Sequence, residues 1–415
     1  MQDFAKAVRD TTEELRSLFP ATPLQWNPHL SEKFQAEIWL KREDLTPVRS
    51  YKLRGAFNAM RKVRVRDPGQ QHFVCASAGN HAQGMAYACR HFGVRGTIFM
   101  PVTTPQQKID KTRTFGGTSV TIELTGDYFD QTLAAAQAFC RAEGAHFLAP
   151  FDDPDVIEGQ ASVAAEILDQ LGRAPDMVVL PVGGGGLASG VTRLLRQEAP
   201  EAQFRFVEPL GGASLKAALD HGGPVKLNKV NSFVDGAAVA RLGDLTWQHL
   251  DWVQPSQVHL APEDRICITM LEMLNVEGIV LEPAGALSVD VLPDLAGEIR
   301  GKTVVCVTSG GNFDFERLPE VKERAQRHAG LKKYFILRMP QRPGALREFL
   351  SMLGPEDDIS RFEYLKKSAR NFGSVLIGIE TKKAENFALF TGRMDAAEFA
   401  YRDITHDEAL AEFLI

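Results

Sequence analysis

The stretch HFVCASAGNHAQGMAYACRHFGVRGTIFMP, residues 72–101, decides the fold class. Two short apolar runs, at 72–77 and 96–101, flank a segment that has helical spacing of apolar residues and ends at Gly93. Apolar runs without alternation are typical of strands that are buried on both faces, as in a parallel sheet covered by helices. The order strand, helix, strand therefore predicts an α/β fold.

The same order continues on both sides of this stretch. Further strands are predicted for the apolar runs at 118–124, 177–182, 204–209 and 302–311. Helices are predicted for the periodic segments at 3–19, 106–116 and 127–144. The repetition predicts one large α/β domain over residues 1–325, with a smaller subdomain at about 55–155.

The pattern changes after a charged segment near 316–333. Strands are then predicted at 334–340, 360–367, 372–380 and near 398–404, with helices at 343–353 and 384–394. The resulting order, β-α-β-β-α-β, is that of the ferredoxin-like split unit. We therefore predict a linker at 326–333 and a second, α+β domain at 334–415.

The composition is that of a globular protein and excludes several classes of function. The 415 residues are 44% hydrophobic and 24% charged, which excludes disordered, collagen-like and coiled-coil chains. Lys and Arg number 47 against 53 Asp and Glu, without a basic block, so no nucleic-acid partner is expected. No apolar run approaches the roughly 20 residues that span a bilayer. The charged N-terminus has no apolar signal core, so neither a membrane nor export is expected.

The cysteines give no support to a metal site or a disulfide framework. They are Cys75, Cys89, Cys140, Cys267 and Cys306, an odd number without CxxC spacing. The histidines show no HExxH pattern. We expect reduced thiols, a cytoplasmic location and no metal.

A lysine within KREDLTPVRSYKLRGAFNAM, residues 41–60, is a candidate reactive amine. Lys52 opens a helical segment and lies two residues before Arg54. A lysine beside other cations in a site that excludes water has a depressed pKa and can form Schiff bases. A solvated lysine at a helix start is the alternative for this residue taken alone.

Two loops have the composition of anion-binding sites at helix N-termini. SAGNHAQG, residues 77–84, has small residues that allow backbone amides to approach a carboxylate or a phosphate. A capped turn is the alternative for this loop. VVLPVGGGGLASG, residues 178–190, places four glycines between a buried strand and a helix, where bare amides bind phosphate.

The glycine loop also fits a dinucleotide-binding pattern. G-x-G-x-x-A runs from Gly183 to Ala188, and Glu208 follows about 20 residues later. An NAD-binding oxidoreductase is therefore an alternative, although it explains neither Lys52 nor the SAGNHAQG loop. VTSGGN, residues 307–312, ends another strand and supplies Ser309, a neutral partner for a ring nitrogen. Together these stretches predict a site for a phosphorylated aldehyde cofactor and an amino acid.

Six motifs carry a resemblance to a known family. In chain order they are KREDLTPVRSYKLRGA, SAGNHAQG, PFDDPDVIEGQ, PVGGGGL, LEPAGA and TSGGN. Residues 20–315 resemble the pyridoxal-phosphate enzymes of the tryptophan synthase β fold type, which have two open-sheet subdomains. Within that fold type, the six motifs are most similar to those of the biosynthetic threonine dehydratases (threonine deaminases). The segment ILRMPQRPGALREFLSMLG resembles the ACT-like regulatory domain of that family, and the length suffices for one such domain.

The resemblance implies pyridoxal 5′-phosphate as the cofactor and assigns roles to residues. Lys52 is the Schiff-base lysine and the catalytic residue, Asn80 bonds the 3-oxygen of the cofactor, and Ser309 faces its ring nitrogen. The cofactor phosphate is held by Gly183, Gly184, Gly185, Gly186 and Leu187. The substrate carboxylate is surrounded by Ser77, Ala78, Gly79 and His81. Some relatives hold a cation near Glu208, but Ser214 replaces the later acidic ligand, so no metal is assigned.

The resemblance further implies a threonine ammonia-lyase, which converts L-threonine to 2-oxobutanoate and ammonia in the first step of isoleucine biosynthesis. A catabolic L-serine/threonine dehydratase is the alternative within the fold, and the C-terminal domain favours the biosynthetic enzyme. Isoleucine is expected to bind that domain and inhibit the enzyme, with valine opposing it. A homotetramer is expected from the resemblance.

Overall fold

The computed structural model describes residues 4–365, 371–407 and 410. The chain divides into two compact units, Met1–Asp314 and Phe315–Ile415. No helix among the described residues is long and apolar enough to cross a membrane.

The first unit is built from two sheets and the helices that cover them. Its strands are β1 Leu24–Trp26, β2 Glu37–Arg42, β3 His72–Ala76, β4 Arg95–Met100, β5 Val120–Leu124, β6 His146–Phe147, β7 Met177–Pro181, β8 Gln203–Pro209, β9 Val258–Ala261 and β10 Thr303–Thr308. Its helices are α1 Phe4–Leu15, α2 Pro28–Phe34, α3 Lys52–Arg66, α4 Asn80–Phe92, α5 Gln106–Gly116, α6 Phe129–Ala142, α7 Pro154–Leu171, α8 Gly186–Glu198, α9 Ser214–His221, α10 Asp244–Leu250, α11 Glu263–Glu277, α12 Pro283–Asp290 and α13 Leu292–Ile299.

Both sheets are open and almost entirely parallel. The larger sheet has the order β1-β2-β10-β7-β8-β9, and only its edge strand β1 pairs in the antiparallel direction among the described strands. The smaller sheet has the order β5-β4-β3-β6 and is parallel. The predicted α/β class with two open sheets is confirmed.

Burial explains why the strands were visible as apolar runs. Every residue of β3, β7 and β10 is buried, because these strands lie inside a sheet whose two faces are both covered by helices. The run at 118–124 differs, since no residue of β5 is fully buried. Among the described strands, β5 pairs only with β4 and forms the edge of the smaller sheet.

The second unit has the predicted β-α-β-β-α-β order. Its elements are α14 Leu318–His328, β11 Lys332–Pro340, α15 Ala345–Leu350, β12 Asp357–Leu365, β13 Phe372–Thr381, α16 Asn386–Ala396 and β14 Tyr401–Asp403. The antiparallel sheet has the order β12-β13-β11-β14, and side chains of α15 and α16 complete its apolar core. Residues 366 and 367 of the predicted strand lie outside the described residues.

The segment predicted as a linker, 326–333, is mostly regular structure. It contains the end of α14 and the beginning of β11. The buried Lys332 pairs with Glu323 on α14 at 2.5 Å and with Glu380 on β13 at 3.0 Å. These ion pairs attach α14 to the second unit, which explains why the division falls at Asp314 rather than after the helix.

Candidate active site

The candidate site lies at the carboxyl ends of the central parallel strands, where ligand crevices of open α/β sheets form. Three loops meet there, following β3, β7 and β10. The loop after β10 contacts the start of α3, since the backbone amide of Tyr51 donates to the carbonyl of Ser309 at 3.2 Å. The structure therefore brings together segments that are more than 250 residues apart in the chain.

Lys52 is the first residue of α3, and its side chain is directed toward the loop after β6. Its Nζ donates to the carbonyl of Pro150 at 2.9 Å and lies 5.7 Å from the centroid of the Phe151 ring. Burial lowers the pKa of the Lys52 amine to about 8, although the nearby Glu282 opposes this shift. A neutral amine, which is the nucleophilic and basic form, is thus accessible close to physiological pH.

The glycine loop has no room for side chains. A Cβ atom on Gly184 would collide with the Phe151 ring, and one on Gly183 would lie 3.0 Å from the backbone of Ala237. Gly185 has φ of 91°, a conformation that suits glycine. No described side chain caps the start of α8, which leaves its first amides available to an anion. The loop therefore fits a phosphate group.

The SAGNHAQG loop offers a second set of amides. It connects β3 to α4, and no side chain within the described residues caps the N-terminus of α4. The backbone amide of Gly79 does bond the hydroxyl of Ser77, at 3.2 Å. A carboxylate is the natural ligand of such a helix start.

His81 has an environment that determines which of its groups can bind an anion. Its Nε2 lies 2.9 Å from the carbonyl of Leu148, and the side chain is buried. Burial, together with the Lys52 charge, lowers the pKa of His81 to about 4. The ring is therefore neutral at physiological pH and supplies no positive charge to a substrate carboxylate.

The loop after β10 contributes a neutral hydroxyl and an amide. Ser309 is buried and its Oγ donates to the carbonyl of Ala284 at 3.2 Å. Asn312 donates to Asn80, which in turn donates to Glu282, a buried carboxyl at the start of α12. Asn312 and Glu282 belong to the TSGGN and LEPAGA motifs, but nothing in the sequence pattern had predicted a role for either residue. A glutamate within the apolar segment IVLEPAGA was the available signal.

Phe151 was also missed. It belongs to the PFDDPDVIEGQ motif, and its ring contacts the glycine loop and lies near Lys52. The next residue, Asp152, accepts hydrogen bonds from the amides of Leu245 and Thr246 in the first turn of α10. The loop after β6 thus connects Lys52 with the glycine loop and α10.

The carboxylate of Glu208 is occupied within the protein. It is fully buried and accepts hydrogen bonds from the amides of Leu215 at 2.7 Å and Lys216 at 2.9 Å, at the start of α9. Because Glu208 is fully buried and bonded inside the protein, it is not exposed to the ribose of a dinucleotide, which argues against the oxidoreductase alternative. The described residues contain no group of three or more His, Cys, Asp or Glu side chains arranged to hold a metal ion.

A buried ionic network supports the helix that carries Lys52. Arg54 on α3 is fully buried and pairs with Glu43 at 2.7 Å and with Glu166 on α7 at 2.8 Å. Lys41 on β2 also pairs with Glu166, at 2.6 Å. Burial alone would raise the pKa of Glu166, but these cations outweigh it and lower that pKa. The network joins α3, α7 and β2 behind the site.

Each of the two units matches a known protein family. The family described as "Pyridoxal-phosphate dependent enzyme" matches residues 16–310. The family described as "C-terminal regulatory domain of Threonine dehydratase" matches residues 323–414. The chain therefore has a pyridoxal-phosphate catalytic unit and a regulatory domain.

Individual relatives are similar along the whole chain. The biosynthetic L-threonine dehydratase of Bacillus subtilis is 45% identical over 411 residues, which cover 99% of this chain and 97% of that protein. The corresponding enzyme of Lactococcus lactis is 44% identical and covers 99% of both chains. Among solved structures, the processed form of threonine deaminase isoform 2 from Solanum lycopersicum is 34% identical and has a TM-score of 0.72. The match covers 78% of this chain and 94% of that one. The chain belongs to the biosynthetic L-threonine dehydratases, pyridoxal-phosphate dependent lyases with a C-terminal regulatory domain.

Proposed function

We propose that Lys52, Asn80, Ser309 and the loop Gly183–Leu187 form the pyridoxal 5′-phosphate site in which this enzyme deaminates L-threonine. The observation that carries the assignment is the half-buried amine of Lys52, which lies 5.7 Å from the centroid of the Phe151 ring that packs on the glycine loop. Because the two positions are so close, one small ligand that carries both a phosphate and an aldehyde carbonyl can reach the glycine loop and Lys52 together. The uncapped amides of α8 and the absence of Cβ atoms in the loop support this fit.

The residues of the chain divide the chemistry among them. When bound, the cofactor withdraws electrons from Cα of the amino acid and makes its proton acidic. Lys52 receives that proton, because its lowered pKa keeps a neutral amine available. Ser309, a neutral hydroxyl, does not protonate the ring nitrogen, and this favours elimination of the β-hydroxyl over racemisation.

The substrate carboxylate is assigned to Ser77, Ala78, Gly79 and His81. Because the imidazole of His81 is neutral and bonded to Leu148, its contribution comes through the backbone amide. Ala78 has no group that moves a proton, which supports a lyase in which one base acts on Cα. The products are 2-oxobutanoate and ammonia.

The relative activity on threonine and serine tests the assignment of threonine as the substrate. Threonine and serine differ by one methyl group, which contributes only about 1–3 kcal/mol to discrimination, so we expect some serine deamination. Comparison of initial rates with threonine, serine and O-phosphohomoserine tests the assignment. A higher kcat/KM for serine than for threonine would favour the catabolic alternative.

Borohydride reduction tests the site itself. Reduction of the holoenzyme, digestion and peptide mapping should place a pyridoxyl group on Lys52. A reduced adduct on another lysine, or no adduct, would contradict the proposed site.

The regulatory unit is assigned the effectors isoleucine and valine. The support is the family match over residues 323–414 together with the observed β-α-β-β-α-β unit. Isoleucine lowers activity and valine opposes it in this proposal. A homotetramer and a cytoplasmic location complete it, the latter supported by the buried, free thiols of Cys75, Cys89, Cys140 and Cys306. Sedimentation at assay concentration tests the oligomer, and a lone monomer would contradict it.

A further inference from the structure

Three hydrogen bonds form a chain through the candidate site. Asn312 Nδ2 donates to the carbonyl of Val48 at 2.8 Å and to Asn80 Oδ1 at 2.7 Å. Asn80 Nδ2 donates to Glu282 Oε1 at 2.7 Å. A Cβ atom on Gly310 would collide with that carboxylate, so the glycine after Ser309 provides the space that Glu282 occupies.

The orientation of the Asn312 and Asn80 carboxamides follows from the hydrogen bond to Val48 at one end of this hydrogen-bonded series. The carbonyl of Val48 can only accept, so the nitrogen of Asn312, rather than its oxygen, must face it. The same nitrogen contacts Asn80, which therefore presents its oxygen to Asn312 and its nitrogen to Glu282. Exchange of the oxygen and nitrogen of Asn80 would break both of its bonds. Asn312 Oδ1 is buried and has no partner among the described residues.

We propose that Asn312 and Glu282 are positioning residues that hold Asn80 as a fixed N–H donor toward an oxygen anion on the ring of the cofactor. This inference rests on the proposed function, which places Asn80 at the cofactor. One N–H of Asn80 is used by Glu282, and the second remains for the ligand. A carboxamide that rotated freely would present its oxygen to the same anion and repel it. The fixed donor instead favours the ionised ring oxygen.

The test uses the holoenzyme and the absorption spectrum of its bound cofactor. Asn312→Asp keeps the shape of the side chain but cannot donate to Val48 or Asn80. We expect a changed visible absorption maximum, a shifted pH midpoint of that band, and a dissociation constant for pyridoxal 5′-phosphate raised at least about tenfold, the typical effect of losing a hydrogen bond to a charged group.

Asn386→Asp is the matched control. Asn386 lies in the second unit and also donates two hydrogen bonds, to Thr381 at 2.8 Å and to Glu356 at 3.2 Å. Its replacement should leave the cofactor spectrum and affinity unchanged. Equal spectra, pH midpoints and dissociation constants in Asn312→Asp and Asn386→Asp would overturn the inference.

Glu282 provides a second comparison that does not depend on the stability of the Asn312 variant. Glu282→Gln keeps an oxygen that accepts from Asn80, so its cofactor affinity should stay within about threefold of wild type, whereas Glu282→Ala should lose about tenfold. Circular dichroism confirms that each variant is folded. Equal affinities in Gln and Ala variants would contradict the positioning role. Wild-type protein that binds no cofactor would instead overturn the proposed function, and this inference with it.

Discussion

At the scale of single residues, Lys52 has two proposed roles, since it binds the cofactor and removes the Cα proton. Its replacement by alanine removes the only base assigned to Cα, so we expect 2-oxobutanoate formation to fall by a factor of about 10³ or more. Folding should persist, because Lys52 occupies the first position of α3 and the one hydrogen bond that its side chain forms with described residues is to the carbonyl of Pro150. The rate assay and thermal unfolding are measured together. Exposed Lys6, which pairs with Asp10 on α1, gives the control Lys6→Ala. Substantial activity in Lys52→Ala would contradict the role.

The pKa of Lys52 predicts how attachment of the cofactor depends on pH. Burial lowers the pKa of this amine from 10.5 to about 8, so its reactive neutral form increases as the pH rises and is dominant above 8. The rate at which apo-protein forms its visible absorption band with pyridoxal phosphate should rise with a midpoint near pH 8 and then level off. A midpoint near 10.5 would mean that the site does not exclude water from the amine.

A substitution at Gly184 tests whether the glycine loop must lack side chains. A methyl group there would collide with the Phe151 ring, so Gly184→Ala has to displace either the ring or the loop. We expect a cost of about 1–3 kcal/mol, divided between stability and cofactor affinity. Gly297→Ala is the control, because a Cβ on Gly297 of α13 meets nothing within 4 Å. Equal cofactor affinities in the two variants would contradict the role of the tight loop.

At the scale of elements, α3 is stabilised by ion pairs between its own Arg54 and glutamates that lie outside the helix. Arg54→Leu would leave Glu43 and Glu166 buried without their main cation, and we expect unfolding free energy to fall by about 3–5 kcal/mol. Because α3 begins with Lys52, activity should fall as well. The control Lys6→Ala breaks an exposed pair and should change stability by less than about 0.5 kcal/mol. Urea denaturation measures both, and similar midpoints would show that the buried network does not stabilise α3.

At the scale of the whole molecule, the two units should separate catalysis from regulation. A chain that ends at Asp314 retains the first unit, whereas one that ends at Arg327 retains most of α14, which is bound to the second unit through Glu323 and Lys332. We expect the shorter protein to deaminate threonine without responding to isoleucine. In the full chain, a coupling of about 1–3 kcal/mol should let isoleucine weaken threonine binding about 5- to 150-fold, and threonine must then weaken isoleucine binding by the same factor. Unchanged saturation at millimolar isoleucine would contradict the regulatory assignment.

The amino-acid sequence by itself determined the fold class, the cofactor chemistry and the second domain. β3, β7 and β10 are buried on both faces, so their apolar runs marked them without tertiary information. Bare amides, glycines and a lysine next to cations are local features as well. They made Lys52 and the loop at Gly183–Leu187 candidates, and the resemblance of the surrounding motifs to a known family gave them their predicted roles.

Only the tertiary structure decided which polar side chains meet. Asn312 and Glu282 are 232 and 202 residues from Asn80, and no local pattern expresses such a distance. The same holds for Glu166, which reaches Arg54 across 112 residues, and for the boundary at Asp314, which depends on where Lys332 finds its partners. The spacing of apolar residues along a helix or strand indicates which of its faces is buried, because each element has its own buried face. Hydrogen bonds and ion pairs between distant elements depend on how those elements pack, and packing is fixed only when the whole chain has folded.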